Sequence, residues 1–260
     1  MDLILGSHSR IESGGEVRRF WEYFSDNSPR PKEERLCTCG VHANECEYWA
    51  RVRSRLNEKY GMNLESDDRK KFEKDNYNLI QAILQVSGKE VFCDSSKSYP
   101  RLQRLLYSDL FTVYLVHLVR DGRAVAFSLK RKGELQGIQK QWYNYYEALG
   151  HWQGVNTRCY SEFKDYAHYI LVKYEDLVDD PQKQISRILE QVSQKFESDQ
   201  LRFWQFDHHN IGGNLMRVRG EQEIREDRRY IESLSSREWW FGTISAWSGL
   251  KRFGYSMRRG

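Results

Sequence analysis

The sequence predicts an α/β fold: a parallel sheet flanked by helices, in one domain over residues 1–260. Short apolar, β-branched runs ending in polar residues recur at 90–96, 112–119 and 169–177, each the length of a buried strand. Stretches of helical periodicity separate them, and strand–helix–strand–helix–strand order implies parallel strands. With only four prolines, no repeat and no low-complexity tract, nothing divides the chain, and its length is ample to bury a core. Ligands of such sheets bind at the carboxyl ends of the strands.

Charge and cysteine usage narrow the partners. Lys and Arg number 41 against 37 Asp and Glu, a net charge of +4, which favours anionic ligands without demanding a nucleic acid. No stretch reaches the eighteen or so apolar residues of a membrane span, and the N-terminus lacks a basic-then-apolar leader pattern. Five cysteines in no disulfide-framework spacing, and no Asn-x-Ser/Thr sequon, point to a reducing cytoplasm.

Along the chain, Cys37, Cys39, Cys46 and His42 offer four zinc ligands, but not at the spacing of a standard zinc site. The expectation there is a loop of reduced thiols packed under Trp49, with no metal. Ser66, followed by Asp67 and Asp68, is read as the cap of a helix running into "YNLIQAILQV". The strand in 112–119 ends at Val119, and Arg120-Asp121-Gly122 turns into a helix bearing Ala124, Ala126, Phe127 and Ser128. An arginine and a hydroxyl facing one crevice suit a phosphate monoester, since guanidinium binds its oxygens bidentately and stays charged. The competing reading pairs Arg120 with a carboxylate such as Asp121. Asp180-Pro181 opens the next helix. The aromatic stretches 141–152 and 237–255 have helical spacing, which assigns them first to the core and second to an aromatic wall for a sugar or phenol acceptor.

Four segments taken in order, "DSSKSYPRLQRLL" (94–106), "LVHLVRDGRAVAFS" (115–128), "VKYEDLVDDPQKQISRILE" (172–190) and "HHNIGGNLMR" (208–217), resemble the sulfotransferase family. Members use 3′-phosphoadenosine 5′-phosphosulfate as sulfuryl donor on a P-loop-like fold. "CTCGVHANECEYW" (37–49) is also similar to a segment of bacterial-type members, so the resemblance covers nearly the whole chain. It implies that Arg120 and Ser128 grip the donor's 3′-phosphate. Gly212, Gly213, Asn214 and Arg217 are second candidates for cofactor binding, through close backbone approach and side-chain donors, against the alternative of an ordinary glycine loop. Glu16 resembles the glutamate that takes the acceptor's proton, and Lys97 the lysine that steadies the bridging oxygen of the leaving group. The implied acceptor is a hydroxyl or amine of a small molecule, saccharide or lipid, with no metal and no nucleic-acid partner.

One departure from the family pattern stands out. Members open with a strand and a Gly/Ser/Thr-rich loop that cradles the 5′-phosphosulfate, whereas "MDLILGSHSRIESGGEV" resembles the tail of the helix after that loop, and no Walker-type motif occurs elsewhere. The expectation is a domain lacking its first β-loop-α unit, with sheet edges left unpaired, which binds the cofactor weakly and transfers nothing. A catalytically inactive nucleotide-binding remnant, or an interaction protein of the same fold, is the alternative reading.

Overall fold

The computed structural model describes residues 1–56, 62–136, 144–213 and 224–259. They fall into two compact units, the first formed by residues 1–113 and 192–223 and the second by 114–191 and 224–260.

The first unit runs α1 (Asp2–Gly6), β1 (Ile11–Gly15), α2 (Phe20–Phe24), α3 (Glu47–Arg55), α4 (Arg69–Ser87), β2 (Val91–Asp94) and α5 (Tyr99–Leu106). β1 pairs parallel with β2, from Ile11 opposite Val91 to Gly15 opposite Asp94, with a slip in register between Ser13 and Gly15. Strand β1 was not read from the sequence. "IESGG" has one β-branched residue and two glycines, poor material for a strand, and it is extended because all five residues are buried against their neighbours. The long helix α4 buries Phe72, Asn76, Leu79 and Ile83, a stripe at helical spacing, and its Leu79, Ala82 and Ile83 share a core with Val17, Phe20, Trp49, Val52 and Ile211. Its cap is Asp68, whose carboxylate accepts the Lys71 N–H at 2.7 Å. Ser66, expected in that role, instead accepts the N–H of Asp68 at 3.2 Å and shapes the turn before the helix.

The second unit holds β3 (Leu115–Val119), α6 (Gly122–Gln136), α7 (Tyr145–Phe163), β4 (Tyr169–Lys173), α8 (Tyr174–Asp179), α9 (Pro181–Gln191), α10 (Arg229–Ser233), α11 (Ser236–Ser245) and α12 (Trp247–Arg252). β3 and β4 pair parallel without a slip, Leu115 opposite Tyr169 through Val119 opposite Lys173. The run at 169–177 therefore divides: four residues after the strand begins its last residue is Lys173, and Glu175 and Asp176 open α8, where acidic residues favour a helix N-terminus. Val119, Leu149, Trp152, Trp239, Leu250 and Phe253 share one core. The aromatic stretches divide as well: Tyr145, Trp152, Trp239 and Tyr255 are buried, but Trp240, Phe241 and Trp247 are 52–56% exposed. Among the described residues the named strands form these two parallel ladders, one in each unit.

Candidate active site

Glu16 follows directly on β1, and Lys97 lies three residues beyond the end of β2, so parallel pairing brings both to the same carboxyl edge of one ladder. The Lys97 ammonium donates to Glu16 Oε1 at 3.0 Å, and the Arg19 guanidinium donates to Oε2 at 3.0 Å. The carboxylate is almost fully buried while the lysine side chain is 72% exposed, so the pair has one closed and one open side. Burial pushes the Glu16 carboxyl upward, but Lys97 and then Arg19 outweigh it and hold it below its ordinary value. Lys97 itself adopts a positive φ of 52°, a conformation that ordinary side chains rarely take. Arg18 ties the two segments together, its backbone N–H donating to Ser96 Oγ at 3.2 Å and its Nε to the Ser96 carbonyl at 3.1 Å.

The glycine segment reaches the same place. Ile211 donates its N–H to the Gly14 carbonyl at 3.1 Å and accepts the Glu16 N–H at 2.7 Å, extending the ladder by one residue. Gly212, at φ +69°, lies so close that an added Cβ would sit 2.6 Å from Cβ of Glu16; only glycine fits both the backbone and the space. Gly213 also has positive φ. Asn214 and Arg217 lie outside the described residues. Beside this edge, Arg18, Trp21, Met62, Asn63, Leu64 and Glu65 line a cavity of about 380 Å³.

Arg120 and Ser128 belong to the second unit. Arg120 follows β3 directly, stacks over the Tyr174 ring at 4.6 Å and donates to the Asp227 carbonyl at 2.7 Å, with the Asp227 carboxylate 3.5 Å away. Asp227 is held well below the usual carboxylate range, first by the Arg229 guanidinium and also by Arg120. The carboxylate partner of Arg120 is thus Asp227 and not Asp121. Asp121 instead forms a buried pair with Arg123, at 2.6 and 3.0 Å. Ser128 is exposed on α6. Asp94, another carboxylate at a strand end, is committed to Arg101 at 2.9 Å.

The cysteines gather a histidine that sequence spacing did not indicate. Cys37, Cys39, Cys46 and His209 bring their ligand atoms within 4.8 Å of one another, and all five cysteines are free thiols. His42 is not part of the group; its Nδ1 accepts the Asn44 N–H at 3.3 Å and caps a short turn. His209 escaped notice because it lies 163 residues from Cys46. Arg19 was missed as well, though its place three residues after Glu16, on the same face of the turn, is a signal that points to it.

A sulfotransferase family profile matches residues 1–198. The sulfotransferase domain from the curacin biosynthetic pathway superposes with a TM-score of 0.59 at 15% identity, covering 99% of this chain and 93% of that one. The sulfotransferase domain of the Synechococcus PCC 7002 olefin synthase covers 96% of this chain and 97% of its own at 16% identity, with a TM-score of 0.46. No curated protein sequence matches. The likeness to the curacin-pathway domain bears on the fold, and the profile match over most of the length decides the rest: the chain belongs to the sulfotransferase family.

Proposed function

We propose that this protein moves a sulfuryl group from 3′-phosphoadenosine 5′-phosphosulfate to a hydroxyl or amine of a small-molecule, saccharide or lipid acceptor. The observation that supports this most is the Glu16–Lys97 contact at 3.0 Å, with the lysine open to solvent. In-line sulfuryl transfer asks little covalent work of a protein. It needs a base for the acceptor's proton and a cation for the charge left on the departing oxygen.

The donor supplies the sulfuryl group and a phosphate that leaves. Glu16 takes the proton of the acceptor hydroxyl on its carboxylate. Lys97 presents its ammonium to the charge left behind, and Arg120 and Ser128 hold the 3′-phosphate, with Gly212, Gly213, Asn214 and Arg217 as second contributors. Their chemistry fits the group, since guanidinium and ammonium donors suit a doubly phosphorylated nucleotide. Shared with Glu16 at rest, the Lys97 charge keeps that carboxylate a weak base; once it is shared with an anion, Glu16 becomes the stronger base it must be. The cavity lined by Arg18, Trp21 and Glu65 offers apolar and polar walls to an acceptor. Five free thiols agree with a cytoplasmic setting, and among the described residues no helix is long and apolar enough to cross a membrane.

One observation favours the second reading, a nucleotide-binding or interaction protein without turnover: Arg120 is already engaged by Asp227. The test is transfer of labelled sulfuryl groups to a panel of hydroxyl acceptors by the product of the full open reading frame. Glu16→Gln is expected to lower turnover about 10²–10⁴-fold with nucleotide affinity nearly intact. Unchanged turnover in that variant removes the role from Glu16, and no transfer by the wild type favours the second reading.

A further inference from the structure

We infer that Cys37, Cys39, Cys46 and His209 form a tetrahedral zinc site that fixes the Ile211–Gly212 segment against Glu16. The geometry comes first. Zinc–sulfur bonds of about 2.3 Å and zinc–nitrogen bonds of about 2.0–2.1 Å set tetrahedral edges of about 3.8 Å between sulfurs and about 3.6 Å between sulfur and nitrogen. Cys39 Sγ and Cys46 Sγ are 3.7 Å apart, and His209 Nδ1 lies 3.3 Å from Cys46 Sγ and 3.8 Å from Cys37 Sγ. All four ligand atoms fall within 4.8 Å of one another, about an ångström beyond a tetrahedral edge at most, so small side-chain rotations bring all four onto one ion.

The donor set selects the metal. Three thiolates and an imidazole at tetrahedral spacing suit zinc, whereas magnesium and calcium take oxygen ligands at higher coordination number. Four protein ligands leave no position for water or substrate, the mark of a structural site.

The surroundings hold these ligands in place, as outer contacts do around structural metals. Cys37 donates its N–H to the Val41 carbonyl and accepts the Gly40 N–H, both at 2.9 Å, and Gly40 makes the turn with φ +92°. The His209 ring stacks on Tyr48 at 4.5 Å with 5° between the planes. The His209 carbonyl accepts the Trp49 indole N–H at 2.7 Å, and Thr38 Oγ1 donates to the Asn210 carbonyl at 2.9 Å. His209 thus enters the cluster with its ring plane and its backbone both fixed. Two residues later comes Ile211, which bonds Gly14 and Glu16. A metal here would clip the loop at 37–46 to the end of β1, just before Glu16. The inference stands on these contacts and not on the sulfuryl-transfer reading.

The full-length protein, purified under reducing conditions, is expected to hold about one zinc per chain by elemental mass spectrometry. Cys46→Ser and His209→Ala should lose most of it. Should those variants fail to fold, cobalt substitution of the wild type decides: thiolate-to-cobalt charge-transfer bands with strong tetrahedral ligand-field absorption support the site. Stripping the metal with a chelator should speed hydrogen exchange at the Ile211 and Glu16 amides while leaving those of α7 unchanged. Wild-type protein that carries no zinc and takes up neither zinc nor cobalt would overturn the inference. So would a Cys39–Cys46 disulfide in metal-free protein.

Discussion

Glu16 is a carboxylate made by its neighbours. Burial alone would raise its pKa, and Lys97 and Arg19 reverse that. Its folded pKa is depressed, so it stabilises the fold above the unfolded carboxylate range, and that contribution is lost as pH falls through the lower folded value. In kcat/KM against pH, the acid limb belonging to Glu16 is expected below 4.5, its ordinary value. Lys97→Met removes the largest opposing charge and leaves burial less opposed, so the limb should move upward; an unmoved limb separates the two residues. Gly212→Ala adds a methyl group where the Glu16 side chain lies 2.6 Å away, at a positive φ. It should cost about 1–3 kcal/mol in denaturant unfolding and lower turnover, and a neutral result would remove Gly212 from the support of Glu16. At this scale the sequence showed Glu16 and Lys97 as separate motif residues, and their meeting came only from the parallel pairing of two strands. His209 left no signal, because a ligand contributed from a distant segment has no spacing to read.

Among elements, the strands that sequence reveals are those whose side chains favour strand structure. β2, β3 and β4 are rich in Val, Ile, Leu and Phe and were legible in type, with ends off by a few residues. β1 was not, because Glu12, Ser13, Gly14 and Gly15 carry little intrinsic preference and are extended by their pairing with Val91–Asp94. Caps follow a similar logic: in a run of Ser66, Asp67 and Asp68 any residue qualifies by type, and only backbone geometry singles out Asp68. Asp68→Ala should therefore destabilise the protein by about 1 kcal/mol, with Ser66→Ala smaller, as read from the urea midpoint. The reverse order would return the cap to Ser66.

For the whole molecule, the two compact units divide the candidate residues: Glu16, Lys97 and Gly212 lie in one, Arg120 and Ser128 in the other. Family membership was legible because the order of four motifs along the chain is far more specific than any one of them. The two-unit organisation was not, since residues 114–191 are bounded by no proline-rich or low-complexity linker. The proposed function requires this protein to bind a 3′-phosphorylated adenosine nucleotide, which calorimetry with adenosine 3′,5′-bisphosphate and with adenosine 5′-phosphate measures. Arg120→Ala should weaken bisphosphate binding by about 1.5–3 kcal/mol, roughly 10- to 150-fold, and leave the monophosphate unchanged. Equal loss for both nucleotides, or wild-type protein that does not distinguish them, would contradict the account.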